Sequence, residues 1–170
     1  MTIKPILQLG NPNLYKISEK IHKSELSDIS VVVQDLHDTM MEFKKNYGCG
    51  RAIAAPQINI FKRLIYMNID NRSIVFINPE ITYKSDKLYE LWDDCMSFPN
   101  LMVKVRRHKN IKVKYFDLNW QEHEVEFEGD LSELFQHEYD HLDGILAVMK
   151  AIDKKSLSFK PEYLEFYKKL

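Results

Sequence analysis

Residues 130–144 constrain this chain more than any other stretch, because they set His137-Glu138-Tyr139-Asp140-His141 inside a helical spacing. At about 100° per residue, Leu131, Leu134, Phe135, Leu142 and Ile145 form one apolar stripe. Glu138 falls inside that stripe, His137 and His141 fall at its edge, and Asp140 and Asp143 point towards the opposite side. A carboxylate facing the core is unfavourable without a partner. Burial also raises its pKa into the range that serves proton transfer near neutral pH. Two imidazoles four residues apart share a helix face and can hold one metal ion, with the neighbouring Glu as general base. The plainer alternative, two surface histidines beside a snorkelling Glu, leaves the stripe unexplained. Gly129-Asp130 opens the helix, Asp130 and Glu133 have capping-box spacing, and Gly144 suits its end. His22, His37, His108 and His123 lack the paired spacing and read as surface residues.

Two imidazoles leave a catalytic site of this kind one protein ligand short. A third His six positions after His141 is excluded, because Ala147 stands there. A downstream Glu, Glu162 or Glu165, would complete one arrangement; Cys95 would complete another. The chain has two cysteines, too few for a disulfide framework. Cys49 has no evident partner.

Elsewhere, Ile29, Val32, Val33, Leu36, Met40 and Phe43 predict a helix over 26–45, stopping at Tyr47-Gly48-Cys49-Gly50. Short β-like runs follow at 64–68, 73–77, 81–83, 87–92, 111–116 and 122–128, with turns at Asp70-Asn71, Asn78-Pro79 and 117–121. A short final helix is expected over 161–170. Helices separated by a run of strands indicate an α+β domain, and 170 residues without an internal linker suit a single domain over 1–170. The 24 basic and 25 acidic residues nearly cancel, which gives no footing for nucleic acid or an anionic membrane. No apolar run is long enough to span a bilayer. Met1-Thr2-Ile3-Lys4-Pro5 has no leader character, so the chain is expected to start near Met1 and to be cytoplasmic.

Three ordered segments together resemble peptide deformylases. Gly50-Arg51-Ala52-Ile53-Ala54-Ala55-Pro56-Gln57 resembles G-x-G-x-A-A-x-Q, Asp93-Asp94-Cys95-Met96-Ser97 resembles E-G-C-L-S, and Gln136-His137-Glu138-Tyr139-Asp140-His141 resembles Q-H-E-x-D-H. Residues 6–12 look like the family's N-terminal strand and turn, and 76–80 like its I-N-P segment. The resemblance implies antiparallel or mixed sheets packed around a central helix carrying the H-E-x-x-H motif. It implies Cys95, His137 and His141 as ligands of one divalent metal, typically ferrous iron, with zinc or nickel able to occupy the site. Glu138 would move the protons, and Gln57 with the backbone N–H of Met96 would stabilise the oxyanion. Substrate would lie as an added strand beside Gly50, Arg51, Ala52 and Ile53. The implied reaction removes the formyl group from formyl-methionyl N-termini of nascent chains, near the ribosome.

The departures from the family pattern bear on specificity. Ala52 replaces a Gly and is expected to narrow the substrate groove. Arg51 stands where an apolar residue is usual near the methionine pocket, and Glu133 is its expected partner if it turns inward. Asp93 replaces Glu, with Arg107 as its match, and Asp94 replaces Gly beside Cys95. An H-E-x-x-H metallopeptidase using Glu162 or Glu165, and a non-catalytic or altered-specificity relative acting on another N-acyl amide, remain as alternatives.

Overall fold

The computed structural model describes residues 2–168. In chain order it contains α1 (Leu26–Tyr47), β1 (Ala52–Ala54), β2 (Leu64–Ile69), β3 (Arg72–Lys84), β4 (Leu88–Asp94), β5 (Leu101–His108), β6 (Asn110–Phe116), β7 (Glu122–Glu128), α2 (Asp130–Leu142), β8 (Leu157–Phe159) and α3 (Lys160–Phe166). The first sheet has the order β1-β2-β3-β6-β7 and the second the order β4-β5-β8. Every pairing between these strands is antiparallel. Among the described residues, the parallel component is confined to an isolated bridge between Glu19 and Lys62. This is an α+β fold, and α2 packs against β1, β2 and β7 of one sheet and β5 of the other.

Strand β1 explains how α2 reaches its position. Ile53 is fully buried in a cluster with Leu36, Met40 and Tyr66, on the α1 side. Ala52 and Ala54 belong to the opposite cluster, with Phe76, Phe135 and Leu142. Successive side chains on a strand point to opposite faces, so the two alanine methyls face α2. Small side chains there let the helix approach the sheet closely.

Helix α1 runs two residues beyond its expected end and stops where the Gly48 N–H caps the Lys44 carbonyl at 2.8 Å. Helix α2 ends before Gly144, whose φ is +69° and where an added Cβ would come within 2.4 Å of the Tyr15 carbonyl oxygen. Glycine is the residue that tolerates both conditions. The capping box expected at Asp130 and Glu133 does not form: Gly129 is the N-cap, and the Asp130 carboxylate pairs with Arg51 instead.

Other expectations are corrected, and three strands were not expected. The turn at Asn78-Pro79 is an irregularity inside one long strand, β3. Asn78 adopts a φ of 49° there, and its amide exchanges two 2.8 Å hydrogen bonds with the Ile21 backbone. Strand β5 was masked by Lys104, Arg106, Arg107 and His108; Val103, Val105 and Arg107 face inward while Arg106 is exposed. The three-residue strands β1 and β8 are too short for a period to register. Residues 6–9 form no strand, but the Leu7 N–H donates to the Gln57 carbonyl and the Leu9 N–H to the Ser97 carbonyl, both at 2.8 Å. The final helix starts at Lys160; the last two positions of the expected 161–170 helix lie outside the described residues, as does Met1.

Candidate metal centre

Strand β4 ends at Asp94, and the chain turns tightly, with the Phe98 N–H donating to the Cys95 carbonyl at 3.0 Å. This turn buries Cys95 against the face of α2 that carries the imidazoles. The Cys95 Sγ lies 3.3 Å from His141 Nε2. Ligand atoms of Cys95, His137 and His141 all lie within 4.8 Å of one another, and all three residues are buried. Of the three candidate third ligands, Cys95 is brought to the imidazoles; Glu162 and Glu165 are exposed on α3.

The surroundings suit a cation. His137 Nδ1 pairs with Asp93, at 2.8 Å from Oδ1 and 3.0 Å from Oδ2, which frees Nε2 for the trio. Such a carboxylate–imidazole pair fixes the ring of a metal ligand and raises its basicity. Burial alone would lower the His137 pKa, but the charges of Asp93 and Cys95 outweigh it and raise it well above the usual imidazole range. The negative charge that holds a proton on this ring also favours a cation, which would displace that proton on binding. Burial and the neighbouring His137 charge push His141 down, towards the neutral form that ligates. A thiolate with two imidazoles is a donor set suited to zinc or iron.

Glu138 is 3% exposed, and its Oε2 has no hydrogen-bond partner among the described residues. Burial pushes its pKa up to about 7. The helical wheel therefore located it correctly, on the buried face of α2 with an oxygen that contributes no hydrogen bond to the fold. Gln57 is fully buried in the single turn after β1. Its Oε1 accepts from the Ala54 N–H at 2.9 Å, which turns Nε2 towards Cys95 Sγ (3.6 Å) and Ser97 Oγ (3.3 Å). Met96 is buried beside it, and the Met96 carbonyl accepts from Gln8 Nε2 at 3.3 Å.

Gly50 (φ +134°), Arg51 and Ala52 line a recess of about 220 Å³ that also reaches Cys95, His137 and Glu138. Strand β1 is the outer strand of its sheet. Ile53 contributes only backbone there, since its side chain is wholly in the core. Arg51 does not turn inward to Glu133; it forms a forked pair with Asp130 at the rim. Ala52 is as much core as groove wall. Asp94 is exposed, 3.7 Å from Lys160.

Beneath the trio lies a network that sequence reasoning caught only in part. Arg107, 2% exposed, donates to Asp93 at 3.0 Å, as expected, and also to Asp140 at 2.5 Å. Lys150 reaches the other oxygen of Asp140 at 2.7 Å. The wheel had put Asp140 on the far side from the apolar stripe, but that side faces β5 and is buried. Gln136 clamps α2 to β5: its amide donates to the His108 carbonyl at 2.9 Å and accepts from the His108 N–H at 3.1 Å. His37 and His108 are half-buried with partners, contrary to the surface reading; His22 and His123 are exposed. The available signal was Arg107 itself, a charge in phase with Val103 and Val105.

Comparison with known proteins bears on this arrangement. Residues 3–157 match the family described as Polypeptide deformylase. The peptide deformylase of Cytophaga hutchinsonii is 33% identical over 168 residues, covering 93% of this chain and 88% of that one. That of Karelsulcia muelleri is 36% identical over 151 residues, covering 86% and 77%. The crystal structure of the Thermotoga maritima peptide deformylase superposes with a TM-score of 0.82 at 31% identity, covering 89% of this chain and 99% of that one. An actinonin-bound class I type b peptide deformylase from Acinetobacter baumannii gives 0.80 at 34% identity, covering 88% and 99%. Among the described residues, no helix is long and apolar enough to cross a membrane.

Proposed function

This chain belongs to the polypeptide deformylase family, and from that premise we propose that Cys95, His137 and His141 hold one divalent metal at which formyl-methionyl N-termini are hydrolysed. The observation that carries this reading is the convergence of one sulfur and two imidazoles beside the unbonded carboxylate oxygen of Glu138. A divalent cation held there supplies Lewis-acid polarisation of the formyl carbonyl and lowers the pKa of water to around 7. Ferrous iron is the proposed native ion, with zinc or nickel as substitutes.

The chain's own residues then divide the work. The substrate backbone extends along the outer edge of β1, beside Gly50, Arg51, Ala52 and Ile53. Gln57 Nε2 and the Met96 N–H donate to the carbonyl oxygen as it gains negative charge. Glu138 takes a proton from the attacking water and delivers it to the departing amine, so formate and a free amino terminus result. Asp93 keeps His137 oriented, and Arg107 keeps Asp93 in place. Residues 1–170 act as one catalytic domain in this reading, since both sheets and α2 contribute to the same centre. The substrate class points to nascent chains near the ribosome, in the cytoplasm, as where it is met.

The features that could have argued for a non-catalytic relative lose their force. Arg51 is turned to Asp130, Asp94 faces solvent, and Ala52 is packed in the core. Turnover of formyl-Met-Ala-Ser by anaerobically iron-loaded protein, with metal measured on the same sample, tests the proposal. Cys95→Ser should lose metal and Glu165→Gln should not. Full metal occupancy with no turnover would reject it.

A further inference from the structure

Lys150 has no part in the reaction just described, yet it closes a line of charges that ends at His137. The line runs from Lys150 Nζ to Asp140 Oδ1 (2.7 Å) and from Asp140 Oδ2 to Arg107 Nη1 (2.5 Å). It continues from Arg107 Nη2 to Asp93 Oδ2 (3.0 Å) and from Asp93 Oδ1 to His137 Nδ1 (2.8 Å). Two carboxylates and two cations alternate along it. Lys150 is the member that reaches solvent, with 39% of its side chain exposed against 11% for Asp140.

The chain after α2 fixes where Lys150 stands. Residues Ala147–Lys150 form a single 3-10 turn. Ala147, Val148 and Ala151 pack in the apolar cluster that contains Cys95, Val103 and Val105. Ala151 bridges to Val105 of β5, and the Ile152 N–H donates to the Lys104 carbonyl at 3.1 Å. The Lys150 stem is therefore anchored to the strand that carries Arg107.

Arg107 divides its fork between Asp140 and Asp93, and its Nε has no hydrogen-bond partner among the described residues. It brings one positive charge to two buried carboxylates. A buried carboxylate left uncompensated is strongly unfavourable. Without Lys150 the two would compete for one guanidinium, and Asp140 is already the closer. Drawing Arg107 away would loosen Asp93, the carboxylate that fixes the His137 ring. We infer that Lys150 is a positioning residue for the metal centre: by neutralising Asp140 it leaves Arg107 to Asp93, and so keeps the His137 ring turned to Cys95 and His141. This inference rests on the metal-site reading and concerns how its geometry is held.

The test uses Lys150→Met, which keeps the aliphatic stem, Lys150→Arg, which keeps the charge, and Asp140→Asn, which removes the competitor. Lys150→Met should speed the loss of cobalt from cobalt-loaded protein to excess chelator by about 3- to 10-fold, below the roughly 10- to 100-fold worth of a group that touches the ligand itself. Lys150→Arg should restore the wild-type rate. In the Asp140→Asn background, Lys150→Met should have no effect, because nothing is left to compete for Arg107. A lysine that merely supports the fold would add the same increment in both backgrounds. In metal-stripped protein, the His137 Nδ1 proton followed by NMR should exchange with water severalfold faster in Lys150→Met. Cobalt loss or proton exchange unmoved by Lys150→Met, no restoration by Lys150→Arg, or an equal increment with Asp140→Asn overturns the inference. Absence of turnover with formyl peptides rejects the deformylase reading and leaves these measurements decisive. If no cobalt is taken up, the metal reading falls, and the proton exchange alone decides whether Lys150 holds the ring.

Discussion

Helix α2 presents buried charge to two neighbouring regions that treat it in opposite ways. Towards β5, Asp93, Arg107, Asp140 and Lys150 form a chain in which each carboxylate has a cationic partner within 3.0 Å. Towards β1 and the recess, Glu133 and Glu138 are also buried, yet among the described residues the Glu133 carboxyl has no hydrogen bond or ion pair and one oxygen of Glu138 has no hydrogen bond. Burial raises both of the latter, to about 8 and about 7. Asp93 is held below the usual range, because His137 and Arg107 outweigh the burial that would raise it. Paired buried charges fix geometry; unpaired ones leave a site free to take up a proton or an ion. The first region holds the His137 ring in place, and in the proposed reading the second carries the proton transfer.

The sharpest way to break this contrast is to remove one member from each side. Glu138→Ala should lower turnover by roughly 10²- to 10⁴-fold, the usual worth of a positioned acid–base group, while metal content and folding stability hold or improve. Arg107→Ala should do the reverse in emphasis. It strands Asp93 and Asp140 in the interior, which should cost about 3–5 kcal/mol in urea unfolding. If Glu138→Ala destabilised the fold as much as Arg107→Ala, the distinction between the two regions would be lost.

Glu133 sharpens the comparison through pH. Burial, with the Asp93 charge added to it, holds its carboxyl protonated up to about 8, against 4.5 for an ordinary Glu. Between those values the unfolded chain has released a proton that the folded one keeps, so this group makes stability fall as pH rises. Glu133→Gln should remove that decline, raising stability near pH 8 by on the order of 1–3 kcal/mol in the metal-stripped protein. A pH–stability profile identical to wild type would show that the carboxyl ionises freely and is not confined as described. The smallest effect is expected at the rim. Asp130→Ala breaks an exposed ion pair with Arg51 and should change stability by no more than about 1 kcal/mol. A larger loss would mean that the rim pair, too, is scaffold.

Much of the candidate site was legible because its signals are local. Glu138 on an apolar stripe, His137 and His141 at one helical interval, and Gln57 after Ala54-Ala55-Pro56 are each spelled by consecutive residues. Strand β5 was not legible, because its inward positions run Val103, Val105, Arg107, and a buried Arg reads as a surface one until Asp93 and Asp140 are seen around it. The partner that Arg51 takes was not legible for the same reason. Its partner, Asp130, lies 79 residues away, and no spacing rule connects them.

The order of residues by itself determined the helix that carries the imidazoles, which of its faces is apolar, and the chemical types available to a metal and a proton. Periodicity is a property of neighbouring residues and survives without any knowledge of the rest of the chain. The tertiary structure alone decided that a sulfur 46 positions before His141 comes within 3.3 Å of it. It alone decided that Asp93 rather than solvent satisfies His137, and that the Glu133 carboxyl has no hydrogen bond or ion pair among the described residues. Those outcomes depend on how two antiparallel sheets close on one helix, where small side chains on β1 and a buried cation on β5 set the approach.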